Sequence, residues 1–514
     1  MKPAKGSRTL KFIVLAAMVA NAMILIDQTA VPLALPDIVH TFSISQGDSQ
    51  WVLNASLLPL ASFLVLGGRM GDMFGPKKIF SIGLFAFAGA SAVGGFAPTF
   101  PLLLLCRIVQ GVGGALMLPT SISVVSTMVS NRNKGRILGL VGGVAAVAGA
   151  FGPTLGGVLT SVFSWRAVLL VNLPLACFAY LALRRAAPAN RPAVARGHID
   201  ITGTVLLAIA LTGLVFGLAQ SQQLSYDAPI ASVAVPLGIS LLAAIGFVAT
   251  ERHSPNPLMS FGLLKRHPNY LGATVSQIIG GMAEMGMGIL LPLFLILDLG
   301  MPPIVAGVAL IPASLPMVFV APAAGRWYDR VGGRQPLMAG FAMLSVSVGL
   351  MAAAVFADNY VWLLPGLLLY GVGLALVLAT NDPVTLDTLP DERHGEASGV
   401  SATAEQFGGA IGIAGLYLIF HTSYVDKLHE LIRERGLSMQ ISQLEHLRST
   451  IIAAEQTGLK PDHIPAALAS YLPAALSASD YGYAIAFVAT SILSLIGLLA
   501  VLLLVRPAVA DPQD

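Results

Sequence analysis

Four acids and one base sit deep inside stretches of sequence that are otherwise apolar: Asp27, Glu284, Asp382, Glu405 and Arg107. Charged groups in such surroundings are costly, and they mark ion sites, proton relays or pairs. Asp27 lies about 15 residues, or ~22 Å, past the inner start of its run, and Arg107 about six residues, or ~9 Å, in from the outer start of its own. Across a core ~30 Å thick these two depths nearly coincide, so the pair can face each other. An arginine stays charged, so a proton would reach Asp27 only when a conformational change separates the two. Asp27 is thus the first candidate for a proton carrier; the plainer alternative is a static pair joining two helices.

Glu284 follows Asp27 by 257 positions and has no intramembrane base opposite it, which suits a proton or an incoming cation. Asp382 and Glu405 lie roughly 9 and 13 Å from the inner ends of their runs, at levels where each can line an inward cavity, although Asp382 can also reach the headgroups. Four acids against one arginine favour cationic or protonatable apolar ligands. Met282, Met285 and Met287 beside Glu284 offer a polarisable surface for varied ligands, or serve only as packing.

The same 257-residue offset relates two charged hairpins. Gly68-Arg69-Met70-Gly71-Asp72-Met73-Phe74-Gly75 is followed by Lys77 and Lys78, and Gly325-Arg326-Trp327-Tyr328-Asp329-Arg330-Val331-Gly332 by Arg334. Each stands between two apolar runs. The glycines allow a tight turn and a close approach of helix ends. The aspartate can accept from a helix N-terminus and pair with a nearby arginine. A repeated polar hairpin predicts two homologous halves that move against each other.

Runs of about 20 apolar residues must position these groups, each long enough to cross a bilayer as a helix. Fourteen are predicted between residues 12 and 505, in a chain that is 55% hydrophobic and 11% charged, which excludes a soluble globular protein. Runs this long also exclude a β-barrel, whose signal is a weaker alternation. The expected fold class is an all-α integral membrane bundle. Lysines and arginines crowd one set of short loops while the other set holds Arg166 alone, so both termini are predicted cytoplasmic. The first run is too long for a signal-peptide core and carries Asp27, so it is read as a retained span. The formal charge of +3 reflects the loop asymmetry and calls for no nucleic-acid partner.

Residues 1–183 are expected to form an N-terminal six-helix half, 184–199 a basic cytoplasmic linker, 200–250 an inserted helix pair (spans seven and eight), and 251–514 the C-terminal six-helix half. Gly152 and Gly409, also 257 apart, fall in the glycine-rich stretches of spans five and thirteen. An outside loop over 422–480 carries helical periodicity in Leu428, Leu431, Ile432, Leu444, Leu447 and Ile451, read as an amphipathic helix on the outer face. Gly149, Gly152, Gly156 and Gly157 clear one stripe of span five for a close helix, and Pro153 removes a donor and can bend it, which would seal the junction of the halves; the plainer alternative is small-residue packing with no gating role.

Further motifs join these. Ile26-Asp27-Gln28-Thr29 with Ala34-Leu35-Pro36 stands in span one, Arg107-Ile108-Val109-Gln110-Gly111-Val112-Gly113-Gly114 in span four, and Gly149-Ala150-Phe151-Gly152-Pro153-Thr154-Leu155-Gly156-Gly157 in span five. Trp165-Arg166 and Asn172-Leu173-Pro174 open span six. Together with the hairpins, over nearly its whole length, the chain resembles the fourteen-helix drug:proton antiporters of the major facilitator superfamily. The resemblance implies a major facilitator fold, hairpins that latch the cytoplasmic ends of the halves when the outside is open, and a span-five motif associated with export.

A proton-coupled exporter of amphipathic, cationic drugs or toxic compounds across the inner or plasma membrane is therefore expected, with a small substrate, protons and lipid as partners. An exporter dedicated to one metabolite or lipid, and a non-transporting sensor or scaffold, are the alternatives. No Gly-x-x-x-x-Gly-Lys-Ser/Thr motif supports use of ATP, and neither an enzyme activity nor a cofactor is expected. Cys106 and Cys177 fall within spans and the histidines lack ligand spacing, so no disulfide framework or metal site is expected. A chain carrying both halves can work as a monomer, although the sequence does not require it.

Overall fold

The computed structural model describes residues 4–44, 46–129, 133–185, 200–222, 231–254, 259, 261–357, 359–434 and 472–507. Among these every regular element is a helix. The N-terminal half contains α1 (Ala4–Phe42), α2 (Gln46–Phe74), α3 (Pro76–Gly95), α4 (Phe100–Ser126), α5 (Lys134–Val162), the short α6 (Trp165–Leu170) and α7 (Asn172–Arg185). The inserted pair is α8 (Ile201–Gln222) and α9 (Ala231–His253). The C-terminal half contains the short α10 (Phe261–Arg266), then α11 (Pro268–Leu297), the short α12 (Pro303–Ala309), α13 (Ile311–Val331), α14 (Arg334–Ala354), α15 (Leu364–Asp387), α16 (His394–Glu434) and α17 (Leu472–Leu504).

Twelve helices are long and apolar enough to cross a membrane. Helix α5 makes a thirteenth if its segments Lys134–Gly149 and Thr154–Val162, inclined by 44°, count as one span. The apolar part of α8, Ile201–Gly217, falls short of that length, so twelve or thirteen such spans stand among the described residues where fourteen are expected. The protein is a multi-pass membrane protein.

The halves repeat each other in packing. Helix α1 lies along α5 as α11 lies along α16, and α2 along α4 as α13 along α15. The glycine contacts give the register. A Cβ on Gly113 would meet Phe87 N and Gly83 O, and one on Gly373 would meet Leu344 N and Gly340 O. Residues of α3 and α14 are thus 257 apart, while those of α4 and α15 are 260 apart. The three extra residues fall in 355–363, ahead of α15. The counterpart of Gly152 is therefore Gly412 rather than Gly409, a correction that the sequence offset alone could not supply. Such backbone-to-backbone crossings tolerate no side chain. Gly373→Val is expected to cost about 1–3 kcal/mol by overpacking, read as a lower unfolding temperature of the purified protein.

The two halves meet at α5 against α13 and α2 against α16. The inserted pair covers the second seam: α8 packs on α2 and α16, Trp51 stacks on Phe216 at 5.8 Å, and Ser240 Oγ donates to Ala210 O at 2.6 Å to tie α9 to α8.

Two expectations change at the ends of elements. The loop placed at 422–480 is shorter, because α16 continues to Glu434 and α17 begins at Leu472. Leu428 and Ile432 are buried along the extended α16, so their periodicity belongs to a continuation of the span, not to a separate helix on the outer face. Leu444, Leu447 and Ile451, and the linker beyond Arg185, lie outside the described residues.

Candidate functional site

The first polar cluster is sealed inside the N-terminal half. Arg107 of α4 donates from Nη1 to Asp27 Oδ2 of α1 at 2.6 Å, and from Nε to the Val52 carbonyl of α2 at 2.9 Å. The other carboxylate oxygen accepts from Asn172 Nδ2 of α7 at 3.0 Å and from Gln110 Nε2 at 3.4 Å. Gln110 and Asn172 also donate to Ser91 Oγ of α3, at 2.7 and 3.2 Å. Asp27 and Arg107 are each 1% exposed, so the carboxylate meets only donors and the guanidinium is held by three acceptors, Gln110 Oε1 included. Five helices converge on this network. Gln110 and Asn172 stood within the sequence motifs; only the three-dimensional packing assigns them to Asp27.

The C-terminal half breaks the equivalence. At the 260 offset, Arg107 and Gln110 correspond to Leu367 and Tyr370, so α15 offers Glu284 no cation. Tyr370 instead donates its hydroxyl to Ala283 O at 3.2 Å, and Glu284 Oε2 has no hydrogen-bond partner among the described residues.

Glu284 opens into a cavity of about 180 Å³ between the halves, together with Asp382 and Glu405. Gln277 Nε2 donates to Glu405 Oε2 at 2.5 Å, and Ser401 Oγ to Asp382 Oδ1 at 2.8 Å. Facing this acidic wall, α1, α4 and α5 contribute Ile24, Leu25, Leu118, Ile122 and Ala145, with Asn21 and Gln28 as polar points. Among the described residues no lysine, arginine or histidine lines the cavity. Asp27 does not line it either. Met285 does, whereas Met287 is buried in the core.

The hairpins lie together at one end of the bundle. Asp72 accepts from the backbone N–H of Gly395 and Glu396, both at 2.8 Å, and so caps the N-terminus of α16. Asp329 accepts from those of Gly135 and Arg136, at 2.8 and 3.1 Å, and caps α5. Each half thus caps a helix of the other, satisfying N–H groups that a helix start leaves open. Close approach requires glycine on both sides: a Cβ on Gly68 would strike the Gly395 carbonyl, and one on Gly325 the Gly135 carbonyl. Gly75 and Gly332 turn the chain with φ of 94° and 77°, a region that disfavours other residues. Arg69 Nη1 comes within 3.9 Å of Glu396 Oε2. Its counterpart Arg326 is exposed, and the position matching Glu396 is Arg136, which would repel it. Lys134 of α5 binds Asp387 of α15 at 2.8 Å across the same end. Gly135 and Gly395 were missed from the sequence, although Lys134-Gly135-Arg136 and His394-Gly395-Glu396 recur at an offset of 260, each just ahead of an apolar run.

Helix α5 stands at the junction of the halves, packed on α13, while the helix that its glycine stripe admits is α1. Gly149, Gly152 and Gly156 face Leu25, Thr29 and Ala30 of α1, within the same half, while Gly157 only approaches Leu33 at 4.0 Å. The glycines of α5 that face α13 across the inter-half seam are Gly135, Gly139 and Gly143, with Gly139 against Ala321 O. A span has two faces, and the motif lies on the one turned inward to its own half. Pro153 falls between the two inclined segments of α5, where a missing N–H permits the bend.

Comparison with known proteins agrees with this architecture. The sequence profile of the Major Facilitator Superfamily matches residues 17–413. The multidrug resistance protein Stp of Mycobacterium tuberculosis is 31% identical over 396 residues, 77% of this chain and 73% of that one. The tetracenomycin C resistance and export protein of Streptomyces glaucescens is 30% identical, over 85% of this chain and 80% of its own length. The cephamycin export protein CmcT of Amycolatopsis lactamdurans is 31% identical, over 78% and 83%. Among solved structures, the human organic anion transporter MFSD10 superposes with a TM-score of 0.61 at 15% identity, over 97% of this chain and all of that one. The proton:xylose symporter XylE does so at 0.61 and 13%, over 98% and 97%. These two likenesses carry the fold alone. With two halves repeated helix for helix, each capping a helix of the other, and with this family match and these relatives, the chain is a transport protein, not an enzyme, and belongs to the major facilitator superfamily.

Proposed function

We propose that the protein exports amphipathic, cationic compounds across the cytoplasmic membrane in exchange for protons. The observation that carries this reading is the cavity between the halves, with Glu284, Asp382 and Glu405 on one wall, apolar side chains on the other and no base among its described lining residues. An acidic wall without a base attracts a cation or holds a proton, and an apolar wall takes the body of an amphiphile. Relatives whose names record drug resistance and antibiotic export support the direction of transport and a drug-like cargo.

In this reading both termini and the hairpin end are cytoplasmic. The Asp72 and Asp329 caps latch that end while the cavity discharges outward. Asp27 and Arg107 form the coupling pair: when the halves rock, the network around Asp27 loosens and a proton competes with Arg107 for the carboxylate. The span-five motif Gly149-Gly152-Pro153-Gly156-Gly157 holds α5 close on α1, so that movement of the seam reaches Asp27. One chain holds every part of this cycle, so it runs as a monomer.

The test is efflux of ethidium from proteoliposomes under an imposed pH gradient. The native protein is expected to drive gradient-dependent efflux, and Glu284→Gln to reduce it about tenfold, as loss of one charge-assisted contact to a buried cation implies. Absence of gradient-driven efflux by folded native protein removes the proton-exchange reading.

A further inference from the structure

The cavity is lined by both halves, so its two walls can be compared position by position. At the offsets defined by the glycine contacts, Leu118 corresponds to Leu378 and Gln28 to Met285, and all four line the cavity. On the same map Glu405 corresponds to Ala145, and Gln277, which bonds it, to Ala20. Asp382 corresponds to Ile122, and Ser401, which bonds it, to Val141. Two acid–donor pairs in one half thus stand where the other half has two apolar pairs. An acid and its donor are present together or absent together.

The geometry of the donors matches that pairing. Gln277 uses its amide nitrogen on one oxygen of Glu405 and keeps its own Oε1, buried, without a hydrogen-bond partner among the described residues. Gly281, one turn further along α11, lies against the backbone of Glu405, which fixes the distance between the two helices. Ser401 is 1% exposed and commits its hydroxyl to Asp382 from one turn before Glu405 on α16. Each bond anchors one carboxylate oxygen and leaves the second for a ligand, whereas Glu284 has no such anchor for Oε2.

We propose that Gln277 and Ser401 are specificity-determining positioning residues: they hold Glu405 and Asp382 so that the charged head of a lipophilic cation docks on the C-terminal half while its apolar body lies on Ile122 and Ala145 of the N-terminal half. The proposal rests on the cationic reading above and deepens it. Ser401 does not line the cavity, and Gln277, which does, is bonded to Glu405; in the proposal each acts through its acid.

Ethidium binding to the purified full-length chain, followed by fluorescence without any gradient, tests this separately from proton exchange. Gln277→Met and Ser401→Ala are each expected to weaken binding about fivefold to tenfold, the loss of one hydrogen bond to a charged group, with an unchanged unfolding temperature. Ser401→Thr, which keeps the hydroxyl, restores native affinity. In Glu405→Gln the further change Gln277→Met adds nothing, because its route of action is already removed. Native affinity in Gln277→Met and Ser401→Ala, or full additivity of Gln277→Met with Glu405→Gln, overturns the proposal. Saturable native binding without gradient-driven efflux would instead fault the antiport reading and leave these expectations standing.

Discussion

Asp27→Asn is expected to abolish gradient-driven efflux and to cost about 3–5 kcal/mol of stability, the range for breaking a buried ion pair from one side. The geometry explains why a substitution that preserves shape is so damaging. Arg107, Asn172 and Gln110 all present donors to the carboxylate, so the amide nitrogen that replaces one of its oxygens would have to face a donor. The guanidinium, 1% exposed, would lose its only anionic contact among the described residues. Part of the stability should return in the double change Asp27→Asn with Arg107→Met, which removes the stranded charge, while efflux stays lost. Unfolding temperatures in detergent and efflux rates in proteoliposomes, measured on the single and double variants, separate the two effects. Native efflux in Asp27→Asn would leave the pair a purely structural one.

A second large effect is expected at the hairpins. Asp72→Ala removes two hydrogen bonds from backbone N–H groups of α16, worth up to about 3 kcal/mol together. Those bonds exist only while the halves are closed at that end, so the loss falls on one conformation. A bias of that size shifts the equilibrium by on the order of 100-fold toward the state open at the hairpins. Spin labels at the exposed positions Lys78 and Glu392, one in each half, should then report longer distances. Asp329→Ala should act in the same direction through α5, and the pair of changes should exceed either alone. Unchanged distances in both variants would show that the glycine crossings hold the end shut without the caps.

Much of this protein was legible along the chain. The apolar runs predicted the helices because lipid demands that every backbone group be paired within its own segment. The 257-residue offset exposed the repeat because the hairpins, made of charge and glycine, cannot drift in position without losing the turn. The depth of Asp27 and Arg107 could be judged because a spanning helix advances a fixed ~1.5 Å per residue.

Other features had no linear trace. Depth along a helix says nothing about azimuth, so the sequence does not show which neighbour the α5 glycines admit, and only the packing turns that face to α1. The three-residue insertion before α15 moved Gly412, not Gly409, opposite Gly152, which only helix contacts could reveal. Helix α16 runs past the end that its apolar run predicts, because Leu428 and Ile432 find cover among the polar residues beyond 421. The partners of the acids also lay hidden. Gln277, Ser401, Gln110 and Asn172 are ordinary polar residues on apolar helices, and their roles depend on which neighbour each helix face meets. By itself the sequence determined that this is a two-half helical membrane protein with charge buried in its spans. The tertiary structure alone decided that the N-terminal charge is neutralised and sealed while the C-terminal charge is left facing a cavity, because a carboxylate's chemistry is set by the groups packed around it and these come from other helices.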